Sequence, residues 1–162
     1  MLALIPARGG SKGVKNKNIY DIEGLPLISW TIRHALKSKY IKEIIVSTDD
    51  DHIAEIARRE GISIPFLRPR ELAKDNSTSC DVVLHTISKL NLENEEIIFL
   101  QPTSPLRDNE DIDKAIELYY KNKESYSIIS VVDARTPSNL QYKITAKKEL
   151  ISLDPLSPKN TR

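Results

Sequence analysis

The chain has 162 residues, 40% hydrophobic and 29% charged, a composition that suits one globular domain with a buried core and excludes a disordered chain. Its 24 basic and 23 acidic side chains leave a net charge of +1, so no global field draws nucleic acid or an anionic membrane, and any anion site must be a local cluster. The single cysteine, Cys80, excludes an internal disulfide and fits a reducing compartment. No apolar run approaches the ~20 residues of a membrane span. The apolar start, 1–7, is short, and its positive charge follows instead of preceding it, unlike a signal peptide. A cytoplasmic protein is expected.

Residues 2–6 are an apolar run that predicts a buried strand. A loop rich in glycine and lysine follows at 7–18. Residues 26–38 read as a helix with Ile28, Ile32, Ala35 and Leu36 on one face. Residues 41–47 carry Ile44, Ile45 and Val46, a second buried strand. Residues 50–60 form a helix with an acidic first turn, and Gly61 is placed to end it. A short strand is expected at 62–67, a helix at 77–90, a strand at 96–100, a helix at 109–122 and a strand at 126–132. Strands separated by helices imply crossover units and a mainly parallel sheet with flanking helices, an α/β fold. After Asp133 the pattern changes: 141–145 and 149–153 read as two strands joined by a turn at 146–148, a projecting hairpin. The expected division is 1–133 and 134–162. The chain closes on a loop-like stretch, 154–162, which implies that the ordered domain continues past Arg162.

Ligands of parallel α/β sheets sit beyond the carboxyl ends of the strands. That rule selects the loops at 7–18, 48–51, 68–79 and 101–107. The first holds three of the chain's five glycines, Gly9, Gly10 and Gly13, together with Arg8, Lys12, Lys15 and Lys17. Glycines let backbone N–H groups approach an anion, and the cations and the Ser11 hydroxyl complete a cradle for a polyphosphate. The bland alternative is a solvated basic turn. The spacing fits neither the Walker A loop nor the G-x-G-x-x-G fingerprint, so local chemistry stops at an anion-binding loop.

The run Ile5-Pro-Ala-Arg-Gly-Gly-Ser-Lys12, followed by Lys17-Asn18, resembles the N-terminal signature of the cytidine monophosphate–sialic acid synthetases, the acylneuraminate cytidylyltransferases. The likeness continues in order through Ile45-Val-Ser-Thr-Asp49, Leu67-Arg-Pro69, Glu71-Leu-Ala73 and Gln101-Pro-Thr-Ser-Pro-Leu-Arg107. It implies a Rossmann-like domain that joins a nonulosonic acid to CTP, releasing pyrophosphate, with Mg2+ assisting. Legionaminic, pseudaminic and 3-deoxy-octulosonic acids remain alternatives to a sialic acid, and a non-catalytic CTP-binding module is a rival of another class.

The resemblance implies that Arg8, Gly9, Gly10, Ser11, Lys12 and Lys17 hold the triphosphate, with Arg8, Lys12 and Lys17 neutralising charge as pyrophosphate leaves. Asn18, Arg68 and Ser79 would bind the nucleotide. Read alone, Asn18 is a cap or turn residue, Arg68 a surface charge, and Ser79 part of a helix cap at 77–79. Gln101, Thr103 and Ser104 would bond a polyhydroxylated sugar acid from a loop that Pro102 and Pro105 stiffen. Arg107 reads as structural. Asp49, Asp50 and Asp51 suit a helix N-terminus better than a metal. The family's metal-binding Asp-x-Asp lies late in the chain, past the end of this one, so no metal ligand is assigned here. Asp111 and Asp113 read as solvated helix residues, and Cys80 as a small buried one. His34, His52 and His85 show no metal or triad spacing. Thr136-Pro137 matches a family turn, but Asn139 stands where a sugar-contacting lysine would be. Arg162 matches an arginine that follows the hairpin and contacts the sugar. The resemblance implies that the hairpin region mediates a homodimer.

Overall fold

A computed structural model describes residues 1–11, 13–122, 127–131, 142–144 and 150–152. It falls into two units, Met1–Tyr126 and Ser127–Arg162. The first is built on a three-stranded sheet. Strand β1 (Leu2–Pro6) is central. A small hairpin of β2 (Asp21–Ile22) and β3 (Leu25–Pro26) precedes helix α1 (Leu27–Lys37). Strand β4 (Glu43–Ser47) leads to α2 (Asp51–Arg59), α3 (Ser79–Leu90), β5 (Ile97–Phe99) and α4 (Asn109–Lys121). The sheet order is β4-β1-β5, all parallel, with Leu2 opposite Glu43 on one side and opposite Ile97 on the other. Pro6, which has no N–H, falls past the end of the β1–β5 pairing, where no ladder bond to β5 is lost.

Period-two alternation along β1 sends side chains to opposite faces. Ala3 and Ile5 pack with Ile28 and Ile32 of α1, Ile53 of α2, and Ile112 and Ile116 of α4. Leu2 and Leu4 pack with Ile45 against Val83 and Leu90 of α3. Helices thus cover both faces. The chain runs outward from β1 to β4, then returns across β1 to β5. Reversing direction puts α3 on the face opposite α1, as right-handed crossovers require. Such a reversal leaves a crevice at the carboxyl ends of β1 and β5.

The helix ends follow local chemistry. Asp50 caps α2, accepting from the backbone of His52 and Ile53, and Gly61 (φ +85°) ends it. Thr78 and Asp81 form a capping box on α3, and Asp108 and Asp111 form one on α4.

Several expectations are corrected. Residues 62–67 form no strand. Pro65 lacks an N–H, and the segment's backbone ties are Ile62 N–H to the Ala57 carbonyl and, just beyond, Arg68 N–H to that of Thr48. Residues 127–131, the described part of the strand expected at 126–132, also carry no strand; an apolar run specifies one only where a neighbour offers a ladder. Asp113 is not solvated: it is 5% exposed and accepts from the Ser38 hydroxyl and the Lys39 N–H. Cys80 is exposed instead of buried, because it sits in the first turn of α3 on the outer side. The β2–β3 hairpin is an addition. Its turn residues Glu23 (φ +51°) and Gly24 (φ +80°) both take left-handed conformations, and Trp30 Nε1 donates to the Ile22 carbonyl at 3.1 Å, fixing the hairpin to α1.

In the second unit, β6 (Tyr142–Ile144) pairs antiparallel with β7 (Leu150–Ser152), Lys143 opposite Ile151. This is the hairpin expected from the sequence. The strand ends and connecting turn, together with residues 132–140, lie outside the described residues.

Candidate functional site

A cleft of about 400 Å³ opens at the carboxyl ends of β1 and β5. One wall is the first loop, contributing Arg8, Ser11, Gly13, Lys17 and Asn18. The facing wall is the segment from Arg68 to Ser79. Phe99, Gln101, Pro102 and Thr103, at and after the end of β5, contribute the remaining side. The strand-end rule therefore points to the same place that the glycines and cations do.

The first loop is held by bonds between its backbone and the side chains of Asp49 and Asn18. Gly9 N–H donates to Asp49 Oδ1 at 3.0 Å, and Asn18 Nδ2 donates to the Arg8 carbonyl at 2.9 Å. A Cβ on Gly9 would stand 2.8 Å from Asp50 Oδ2, so only glycine fits against the cap of α2. Gly10 takes φ +61°, a left-handed turn with open space around it. Asn18 is 6% exposed and sits in a one-turn 3-10 segment, Lys17–Ile19. Its amide ties both ends of the loop together, which is a turn-holding role, and it also lines the cleft.

Arg68 overturns the surface-charge reading. It is 4% exposed, with its guanidinium 3.8 Å from Asp49. Burial pushes its pKa down from the usual arginine value; Asp49 opposes that, and the neighbouring Arg8 adds to it. Its Nε is buried without a hydrogen-bond partner among the described residues. A buried cation with an unused donor on a cleft wall has the chemistry to meet an acceptor atom there. The signal was hard to see in sequence, because Asp49, the carboxylate that accompanies it, lies 19 positions earlier (68 − 49).

Ser79 is the first residue of α3, while the cap is Thr78; both line the cleft. Ser77 Oγ donates to the Glu71 carbonyl at 3.0 Å. Gln101 and Thr103 line the cleft, whereas Ser104 is exposed outside its lining. Arg107 has the structural role expected of it: it donates to the Gln101 carbonyl at 3.3 Å and reaches Thr31 at 3.4 Å, bracing the loop after β5. Burial lowers its pKa, with Asp111 opposing. Gly9 and Gly10 are not in the cleft lining; they shape the loop from behind. Lys12 and Arg162 lie outside the described residues. Among the described residues, no group of three or more His, Cys, Asp or Glu side chains could hold a metal ion. Asp49 and Asp50 are engaged by the Gly9 N–H and by the α2 cap.

One contact had no sequence signal. Arg8 Nη2 donates to Asp75 Oδ1 at 2.8 Å, and Nη1 to the Ala73 carbonyl at 3.1 Å, joining the two walls. Asp75 lies 67 positions from Arg8, in a loop whose composition is unremarkable.

Residues 2–151 match a protein-family model described as cytidylyltransferase. The chain is 38% identical over 140 residues to the N-acylneuraminate cytidylyltransferase of Escherichia coli O18:K1:H7, covering 86% of this chain and 33% of that protein. It is 38% identical over 128 residues to the pseudaminic acid cytidylyltransferase of Campylobacter jejuni, covering 77% and 55%. The CMP-N,N'-diacetyllegionaminic acid synthase of Legionella pneumophila is 38% identical over 138 residues, covering 83% and 60%. The chain thus spans from a third to three-fifths of the length of these relatives. The solved structure of a CMP:2-keto-3-deoxy-manno-octonic acid synthetase complexed with CTP superposes with a TM-score of 0.65 at 24% identity, over 75% of this chain and 48% of that one, a likeness of fold. The chain belongs to the cytidylyltransferase family.

Proposed function

We propose that this chain is the nucleotide-binding part of an enzyme that couples a nonulosonic acid to CTP, yielding the CMP-sugar and pyrophosphate. The observation that carries the reading is the cleft itself. Two arginines, a lysine, a serine and an asparagine (Arg8, Arg68, Lys17, Ser11 and Asn18) converge on one space at the end of β1. That set complements a polyanion far better than a neutral ligand.

In this reading the anomeric hydroxyl of the sugar attacks the α-phosphorus, and pyrophosphate departs with the bridging electrons. Arg8 and Lys17, with Lys12 from the same loop, offset the charge that gathers on the leaving group, the preorganised electrostatics that usually dominates such catalysis. Arg68 and Asn18, with Ser79, take the nucleotide; Gln101, Thr103 and Ser104 offer hydrogen bonds to the sugar hydroxyls, and Arg162 would add a contact. Magnesium is the proposed cofactor, supplying further charge neutralisation. The described carboxylates do not fit a magnesium cage, since Asp49 and Asp50 are engaged in the loop and the cap. Residues 134–162 would pair with a second copy of the chain.

The relatives act, by their names, on N-acylneuraminic, pseudaminic and diacetyllegionaminic acids at nearly equal identity. Sequence distance therefore favours none of them. Pyrophosphate release, measured with CTP, magnesium and a panel of nonulosonic acids, tests the reading on the longest available chain. Release with one sugar names the substrate. CTP binding without release by any sugar would leave a binding module. A monomer in sedimentation would remove the pairing.

A further inference from the structure

Arg8 leaves the carboxyl end of β1 and reaches across the cleft to the facing wall. Its side chain is 32% exposed and that of Asp75 is 49% exposed, and both line the cleft. The guanidinium spends two donors on that wall, one on the Ala73 carbonyl and one on Asp75 Oδ1. An arginine fork donates to a carboxylate oxygen and to a phosphate oxygen in the same geometry. The carboxylate on Arg8 is thus chemically a stand-in for a phosphate, contributed by the protein itself.

We propose that Asp75 is a resident anion for Arg8, a latch between the two walls that an incoming polyphosphate displaces. The proposal rests on the reading of the cleft as a triphosphate site. A partly exposed ion pair is weak and screened by water, so a ligand of higher charge takes the guanidinium from it. Asp75 also places negative charge on a wall that a polyanion must approach, and pairing with Arg8 offsets that charge while the cleft is empty. Binding therefore exchanges one wall-to-wall contact for contacts to ligand, and its affinity is the net of the two.

The test is a calorimetric titration of CTP, and separately of inorganic tripolyphosphate, into the full chain without divalent metal. Four proteins are compared: the natural chain, Asp75→Asn, Arg8→Met and the double variant. Both side chains are partly exposed, and a melting curve verifies that each variant is folded. Asp75→Asn is expected to tighten both ligands roughly two- to fivefold. In the Arg8→Met background the gain should shrink, because the guanidinium for which carboxylate and ligand compete is gone. An equal gain in both backgrounds would show simple repulsion and overturn the latch. Weaker binding by Asp75→Asn would overturn it too, making Asp75 a support for Arg8. If tripolyphosphate binds with the Arg8-dependent gain but CTP does not bind, the latch stands and the nucleotide reading falls. If no variant binds either ligand, both fall.

Discussion

Gly9 shows how one atom shapes the glycine-rich loop at 7–18. Its absent Cβ would lie 2.8 Å from Asp50 Oδ2 and 3.1 Å from Asp50 Cβ. Asp50 cannot simply swing away, because its carboxylate accepts from His52 and Ile53 at the start of α2. Gly9→Ala must therefore move the loop or release the cap, an overpacking cost of about 1–3 kcal/mol. Gly13 has open space where its Cβ would be and no left-handed φ, so Gly13→Ala should stay within about 0.5 kcal/mol of the natural chain. Paired thermal melts separate the two; equal losses would refute this account of Gly9. At this scale the sequence was informative wherever chemistry was local. Glycines and cations crowded into 8–17 marked the loop that lines the cleft, and Asp50 marked a cap. Arg68 and Arg8 were less legible. Burial of the first and the Asp75 contact of the second depend on residues 19 and 67 positions away, and a charge in a sequence says nothing of its depth.

Elements were legible when they were long and periodic. The helices α1, α2 and α4 fall within a residue or two of their expected bounds, because apolar spacing and capping residues agree. The two-residue strands of the β2–β3 hairpin are too short to show alternation, although Glu23-Gly24 was a turn signal in plain view. The apolar stretch at 62–67 misled, because apolar residues serve an extended connection as well as a strand. Helix α3 carries the clearest consequence at this scale. Its cap, Thr78, stands on the cleft wall, and both the backbone and the side chain of Thr78 donate to Asp81. Those two bonds hold the Asp81 carboxyl below its usual pKa. Thr78→Ala should cost about 1 kcal/mol of stability, and NMR titration should find the Asp81 pKa moved back toward its ordinary value. Thr78→Ser should restore both. An unshifted Asp81 in the alanine variant would mean that the backbone bond alone sets it.

The whole first unit is a sheet with helices on both faces, and the sequence could not say which helix lies where. That depends on the return crossover from β4 to β5, a long-range choice recorded in no local pattern. The same long-range order brings α1 beside the end of α2. There Arg33 meets Glu60 in a two-pronged pair at 2.8 and 3.0 Å, across 27 positions of sequence. Glu60 is the more sheltered partner, its side chain 15% exposed against 47% for Arg33. The bonds from Arg33 pull the Glu60 carboxyl below the usual glutamate value of 4.5, with burial opposing. A carboxyl with a depressed folded-state pKa contributes stability above its unfolded pKa and loses it as pH falls through the folded one. The pair should therefore stabilise the unit at neutral pH and cease to do so in acid. Glu60→Gln keeps the shape and removes the charge. Its melting temperature should lie below that of the natural chain at about pH 7, and the gap should close as the pH falls through the lowered folded-state pKa of Glu60. Added salt should narrow the neutral gap, since Arg33 is half in water. A gap that persists unchanged into acid would mean that Glu60 acts through packing, and that the ion pair contributes nothing to holding α1 against α2.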